Sequence, residues 1–253
     1  MKNVDTRSIL LKRPGEKAAL LFHGLGGTSF EVRGLTEHLF ERGISVSAPT
    51  LSFHQSRDLS DLKNSTLETW KRDAEDAYDE IADYKKIVVG GISNGAFLAA
   101  HLALRHPSSG LITICPPIHP GLFFLRCLPQ EKILGWLSRR FEYLPRFDYK
   151  MVKDWSLARD LPRFNRLPSH FPHHALLLAG EIRNRISEIK TPILIIQAKH
   201  DNRVDPRGAR YLYAHVGSER KKLFVAEHSG HVVLLDVDRK AVFDEIASFI
   251  EKL

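Results

Sequence analysis

The stretch Lys86-Ile87-Val88-Val89-Gly90-Gly91-Ile92-Ser93-Asn94-Gly95 constrains the fold more than any other part of the chain. A short apolar run rich in β-branched residues reads as a strand buried on both faces. It ends in the pattern G-x-S-x-G, and Ala96 to His106 continues with the composition of a helix. A chain that passes from buried strand to helix within five residues must turn sharply. The serine at such a turn is raised above the sheet edge, with the N–H groups of the new helix beside it. Glycines at 91 and 95 leave room for the strained backbone and the close helix. The plainer reading is a glycine-rich turn in which Ser93 only caps the helix.

Around this element strand and helix signals alternate, which predicts a parallel sheet with helices on both faces. Ala18 to Phe22 is a continuous apolar run, and Thr28 to Arg42 has helical spacing at Val32, Leu35, Leu39 and Phe40 before Gly43. Ile44 to Ala48 alternates and stops at Pro49. Residues 65–84 predict an acid-rich helix with Leu67, Trp70, Ala74, Ala77 and Ile81 on one face. After the serine turn come strands at Leu111–Ile114, Ile193–Ile196 and Leu223–Val225, a helix near Arg207 to His215, and a closing amphipathic helix from Arg239.

The alternation breaks between residues 116 and 190, which hold most of the thirteen prolines. This predicts an α/β core of residues 1–115 and 191–253, with 116–190 inserted as a mainly helical cap or lid. The formal charge of +7 is concentrated there: thirteen Lys/Arg stand against seven Asp/Glu. A solvated basic face explains that excess, and a weak contact with an anionic surface is the functional alternative. No nucleic-acid-binding motif accompanies it. No apolar stretch approaches the roughly 18 residues needed to span a bilayer. The N-terminus has no apolar core of a signal peptide, and Cys115 and Cys127 make no disulfide framework, so a cytoplasmic setting is expected.

A serine hydroxyl needs a base to take its proton, and the base needs an acid to orient it. Asp201 follows the Ile193–Ile196 strand and is the candidate acid; His231 follows Leu223–Val225 and is the candidate base. Asp205, just before Pro206, reads as a helix cap, and His228 is the weaker choice of base. His228 and His231 as a metal pair lack any supporting cysteine cluster or H-E-x-x-H helix. No metal or cofactor is therefore implied. The backbone N–H groups of Leu25, in His23-Gly24-Leu25-Gly26-Gly27, and of Asn94 are the candidate oxyanion donors, with His23 supporting its loop. Leu122, Phe123, Phe124, Leu125 and Trp136 could line an acyl channel, and core packing or a subunit interface explains them equally well.

With these residues the chain resembles the α/β-hydrolase superfamily, and within it the small bacterial carboxylesterases and monoacylglycerol lipases. The resemblance runs nearly end to end and is carried by Phe22–Thr28, Gly91–Gly95, Ala198–Asp201 and Ser229–Val232. It implies a Ser93/Asp201/His231 triad, an oxyanion hole from Leu25 and Asn94, and a lid over an acyl pocket. The expected activity is hydrolysis of short- to medium-chain acyl esters, monoacylglycerols among them, through an acyl-enzyme on Ser93. A thioesterase with the same triad is the alternative, and a non-catalytic ligand-binding protein the remote one. Asn94 departs from the bulky Met, Leu or Gln usual after the nucleophile. Ala96 replaces a frequent second glycine, and Ser52-Phe53-His54-Gln55 stands where Gly-His-Gly is common. These changes bear on pocket shape rather than on the backbone donors.

Overall fold

Strands form where the apolar runs are continuous, and their ends fix where loops can gather. The computed structural model describes residues 5–56, 58–118, 130–146, 151–156, 158–162 and 164–253. Among them the strands are β1 (Ile9–Leu11), β2 (Lys17–Phe22), β3 (Ser45–Ala48), β4 (Lys86–Ile92), β5 (Gly110–Ile114), β6 (Tyr143–Pro145), β7 (Arg166–Pro168), β8 (Ile193–Ala198) and β9 (Lys221–Ala226). The helices are α1 (Arg33–Glu41), α2 (Leu59–Leu62), α3 (Leu67–Asp79), α4 (Asn94–Ala103), α5 (Gln130–Arg140), α6 (His170–Asn184), α7 (Arg207–His215) and α8 (Arg239–Glu251).

Seven strands form one sheet in the order β1-β3-β2-β4-β5-β8-β9. All neighbours are parallel except the edge pair β1–β3. Strand side chains alternate between faces, so β2 sends Ala18, Leu20 and Phe22 to one core and Ala19 and Leu21 to the other. The first core is closed by α3, α4, α6 and α7, the second by α1 and α8. This is the mostly parallel, helix-flanked sheet that the alternating pattern predicts. Each fully buried Leu, Ile or Phe in these layers is worth about 1.5–3 kcal/mol of burial.

Local chemistry shifts several boundaries from the expected ones. The stretch after Thr28 begins as a 3-10 turn, Ser29–Glu31, before α1. Helix α3 starts at a reciprocal cap between Thr66 and Thr69, and it ends at Asp79, where 3-10-type bonds such as Ile81 N–H to Tyr78 O tighten the chain. The helix after the serine turn begins at Asn94, two residues early, because the turn is already the first half of a helical bond, Ala96 N–H to Ser93 O at 3.0 Å.

Residues 116–190 are not uniform. Helix α6 tolerates Pro172 because the ring stands in its first turn, where no intrahelical N–H is needed. Its Phe171, Leu178, Ala179 and Ile182 are buried in the same core as Trp70 and Phe97. Helix α5 lies outside, packed on α6, and β6 and β7 make a separate antiparallel pair. Registers Phe22↔Gly91, Ile92↔Ile114, Ile114↔Ile196 and Ala198↔Ala226 bring the carboxyl ends of β2, β4, β5, β8 and β9 to one edge. The loops that leave those ends hold Leu25, Ser93, Asp201 and His231.

Candidate active site

Ser93 has φ 55° and ψ −122°, outside the comfortable regions for a residue with a side chain. Such a conformation costs about 1–3 kcal/mol and persists only where its surroundings enforce it. Here the enforcement is tight. A Cβ at Gly91 would sit 2.3 Å from Gly95 O, and one at Gly95 would sit 2.5 Å from both Phe22 O and His23 O. The Ser93 amide is tied to Ile114 O at 2.8 Å. The glycines of the motif are thus required by backbone packing. No side-chain capping bond is made by Ser93, so the plain helix-cap reading does not describe it.

Asp201 and His231 meet as their positions suggested: His231 Nδ1 lies 2.7 Å from Asp201 Oδ2, with the carboxylate side chain fully buried and the imidazole nearly so. Asp201 is saturated with donors. Oδ1 accepts from the amides of Arg203 (2.8 Å) and Val204 (3.0 Å), and Oδ2 also accepts from Gln197 Nε2 (3.3 Å). Burial alone would raise the carboxyl pKa. The adjacent imidazole and these N–H donors outweigh it and hold Asp201 below the ordinary carboxylate value. With Nδ1 engaged by the acid, Nε2 is the ring atom left to serve a hydroxyl.

Ser93 and His231 line one cavity of about 140 Å³, together with Leu25, Glu31, Arg146 and Met151. The amide N–H groups of Leu25 and Asn94 make no hydrogen bond among the described residues. His23 is fully buried: Nε2 accepts from the Leu51 amide (3.1 Å) and Nδ1 donates to Gly24 O (2.8 Å). Burial, reinforced by the nearby His54 ring, pushes its pKa down to about 3, so it is a neutral prop for the loop. Asp205 Oδ1 accepts from the Arg207 amide at 3.0 Å, at the start of α7. His228 and His200 are exposed, and His174 Nδ1 accepts from the Leu67 amide, a structural bond.

One expectation is corrected and another falls elsewhere. Trp136 does not line the cavity: it stands on the outer side of α5, 55% exposed, edge-on to Phe141, because α5 turns Leu134 and Gly135 inward instead. Leu122, Phe123, Phe124 and Leu125 lie outside the described residues. Conversely, sequence reading missed four contributors. Glu31 and Gln197 touch the loop of Leu25 and the Asp201 carboxylate, respectively. Cys115 brings its sulfur within 4.8 Å of ligand atoms of Asp201 and His231. Burial and the neighbouring carboxylate raise the Cys115 pKa well above normal.

The fourth is Asp236, fully buried, which accepts from the amides of Gly230 (2.7 Å), Val237 (2.9 Å), Lys153 (2.8 Å) and Asp154 (3.0 Å). One carboxylate therefore shapes the His231 loop and pins residues 153–154 to it; Val232 N–H to Met151 O (3.0 Å) adds a further tie. No local motif announces it, since its partners lie up to 83 residues away.

The chain as a whole is similar to several known proteins. Among curated proteins the chain is 29% identical over 257 residues to a carboxylesterase of Bacillus subtilis, covering all of this chain and 99% of that one. It is 25% identical over 240 residues to a thermostable monoacylglycerol lipase of Bacillus sp., covering 94% and 92%. Among solved structures, one from a study of the metagenome-derived lipolytic enzymes LipS and LipT superposes with a TM-score of 0.88 at 22% identity over 98% of both chains. The monoacylglycerol lipase of Paleococcus ferrophilus gives 0.80 at 16%, again over 98% of both. Residues 14–238 match the model of the Hydrolase_4 family, described as serine aminopeptidase, S33, and the chain is a member of that family of α/β-hydrolases.

Proposed function

We propose that this protein is a serine hydrolase of carboxylic esters, with Ser93 as nucleophile, His231 as base and Asp201 as the acid that orients it. In this reading His231 Nε2 takes the Ser93 proton as Oγ attacks the ester carbonyl. The resulting oxyanion is received by the Leu25 and Asn94 N–H groups. The imidazolium, steadied by Asp201, returns the proton to the departing alcohol. Water then cleaves the acyl-enzyme by the same route in reverse. The single observation that carries the reading is the buried 2.7 Å bond from His231 to Asp201, with the same imidazole facing the cavity that holds Ser93.

Short- to medium-chain acyl esters, monoacylglycerols included, are the proposed substrates, and the names of the curated relatives support that class. The test is a chain-length series of p-nitrophenyl esters, run beside an acyl thioester and an aminoacyl p-nitroanilide. The ester is expected to turn over fastest, and Ser93→Ala to abolish about a million-fold of kcat. Undiminished activity in that variant would reject the assignment.

Residues 116–190 are proposed as a cap over the site, in contact with anionic surfaces. In support, α5 exposes Lys132, Trp136, Arg139 and Arg140, which share one face at helical spacing. Among the described residues no helix is long and apolar enough to cross a membrane. Binding to anionic vesicles that is released by salt supports the contact, and no binding at low salt dismisses it. A cytoplasmic setting belongs to the same proposal and is checked by cell fractionation.

A further inference from the structure

Oxyanion donors are only as good as their aim, and the aim of the Leu25 N–H is set by the peptide that precedes it. Peptides here are trans throughout the described residues, so the C=O of Gly24 and the N–H of Leu25 point in opposite directions from one plane. Whatever fixes the Gly24 carbonyl therefore fixes the Leu25 donor. That carbonyl accepts from two groups: the Gly27 amide at 3.0 Å and His23 Nδ1 at 2.8 Å. The other side of the same residue is held by a charge: the Gly24 N–H donates to Glu31 Oε2 at 2.7 Å. Glu31 is 5% exposed and lies against the loop so closely that a Cβ on Gly27 would sit 2.5 Å from its Oε1.

We infer that Glu31 is a positioning residue for the oxyanion site: it anchors Gly24 so that the Leu25 N–H stays turned toward Ser93. Glu31 itself lines the cavity of Ser93 and His231. A carboxylate so near a forming oxyanion opposes it electrostatically. Its use at this position thus rests on what its oxygens accept, and the charge is incidental. The inference rests on the esterase reading, because only an oxyanion-forming reaction needs that donor.

The consequence separates acceptor from charge. Glu31→Gln keeps an oxygen for the Gly24 amide and removes the charge. Glu31→Met fills similar space and accepts nothing of comparable strength. On the p-nitrophenyl ester that the wild type prefers, E31M is expected to lose about 100-fold in kcat with KM changed less than about threefold, the signature of one lost oxyanion donor. E31Q is expected to retain kcat within about threefold. Affinity for an alkyl trifluoromethyl ketone, which forms the tetrahedral adduct, should fall with kcat in E31M and survive in E31Q. Melting temperature is followed in parallel, and Gly27→Ala, which displaces the carboxylate without deleting it, should reproduce E31M.

Wild-type kcat and ketone affinity in E31M overturn the inference. So does an equal loss in E31M and E31Q, since the charge would then be the active element. Should the wild type hydrolyse no ester, the esterase reading falls on its own. Amide exchange at Gly24 then decides the anchor separately: slow in wild type and E31Q and fast in E31M supports it, and exchange unchanged in E31M removes it.

Discussion

The two sides of the site are built from different materials. On the Ser93 side the geometry is backbone: a strained serine, glycines pressed against carbonyls, and N–H donors whose direction follows from peptide planes. On the His231 side it is side chains: Asp201 with four donors, and Asp236 gathering four amides, two from its own loop and two from residues 153–154. The difference predicts opposite sensitivities. Apart from the Ser93 hydroxyl and the Glu31 anchor, the first side should tolerate changes of side-chain chemistry and fail when a single Cβ is added. The second should tolerate neither loss nor neutralisation of a carboxylate.

The largest effect short of deleting the nucleophile is expected from Asp201→Asn. An amide there cannot hold the His231 Nδ1 proton in the same way, and kcat should fall about 10⁴-fold with the fold intact. Loss of less than about tenfold would show that the His231 loop alone, held by Asp236, orients the imidazole.

Next in size is a pair of identical substitutions with opposite signs. Gly95→Ala forces a Cβ to within 2.5 Å of two carbonyl oxygens and should cost about 3 kcal/mol or more in urea unfolding. Gly180→Ala, in α6 with nothing among the described residues within 4 Å of the added atom, should stabilise by up to about 1 kcal/mol. Equal effects would refute the claim that packing, rather than glycine's flexibility, selects the motif.

Acid should attack the Ser93 side through its buried histidines. Burial pushes His23 down to about 3 and His54 to about 4, from an ordinary 6.5. Below pH 6.5 the unfolded chain binds these protons and the folded chain does not, so stability drops as pH falls toward about 4. Each histidine contributes a slope of about 1.4 kcal/mol per pH unit in that window. Denaturant melts at pH 7.5 and 5.0 would measure it, and His54→Gln should flatten the slope; an unchanged slope would mean that the His54 ring is not titrated by unfolding.

The smallest effect is expected at Asn94. Its backbone N–H is the proposed donor, while its buried side-chain Oδ1 has no partner among the described residues. Asn94→Leu should keep kcat within about threefold and gain about 1 kcal/mol of stability by removing an unsatisfied polar atom. A large loss of kcat would mean that the amide side chain takes part in the site.

The serine turn, the strand order of nucleophile, acid and base, and the sheet were legible because each rests on local pattern. Buried parallel strands must be apolar throughout, and a strand-to-helix turn this tight must carry small residues. The bounds of helix α6 were not set by the sequence, where residues 116–190 read only as mainly helical, because Pro172 and three histidines in its first turns mask its start until a neighbouring core rewards the helix. Trp136 was misjudged because an aromatic in sequence does not say which way its helix faces.

What the sequence determined by itself was the set of strand ends and the residues that follow each one, since hydrophobic period and turn chemistry act over a few neighbours. What only the tertiary structure decided was the company those residues keep. Glu31 beneath Gly24, Gln197 and Cys115 beside Asp201, and Asp236 joining the His231 loop to residues 153–154 are all meetings of groups without a shared local pattern. A buried carboxylate is stable only where enough N–H donors converge on it, and that convergence comes into being when the chain is folded.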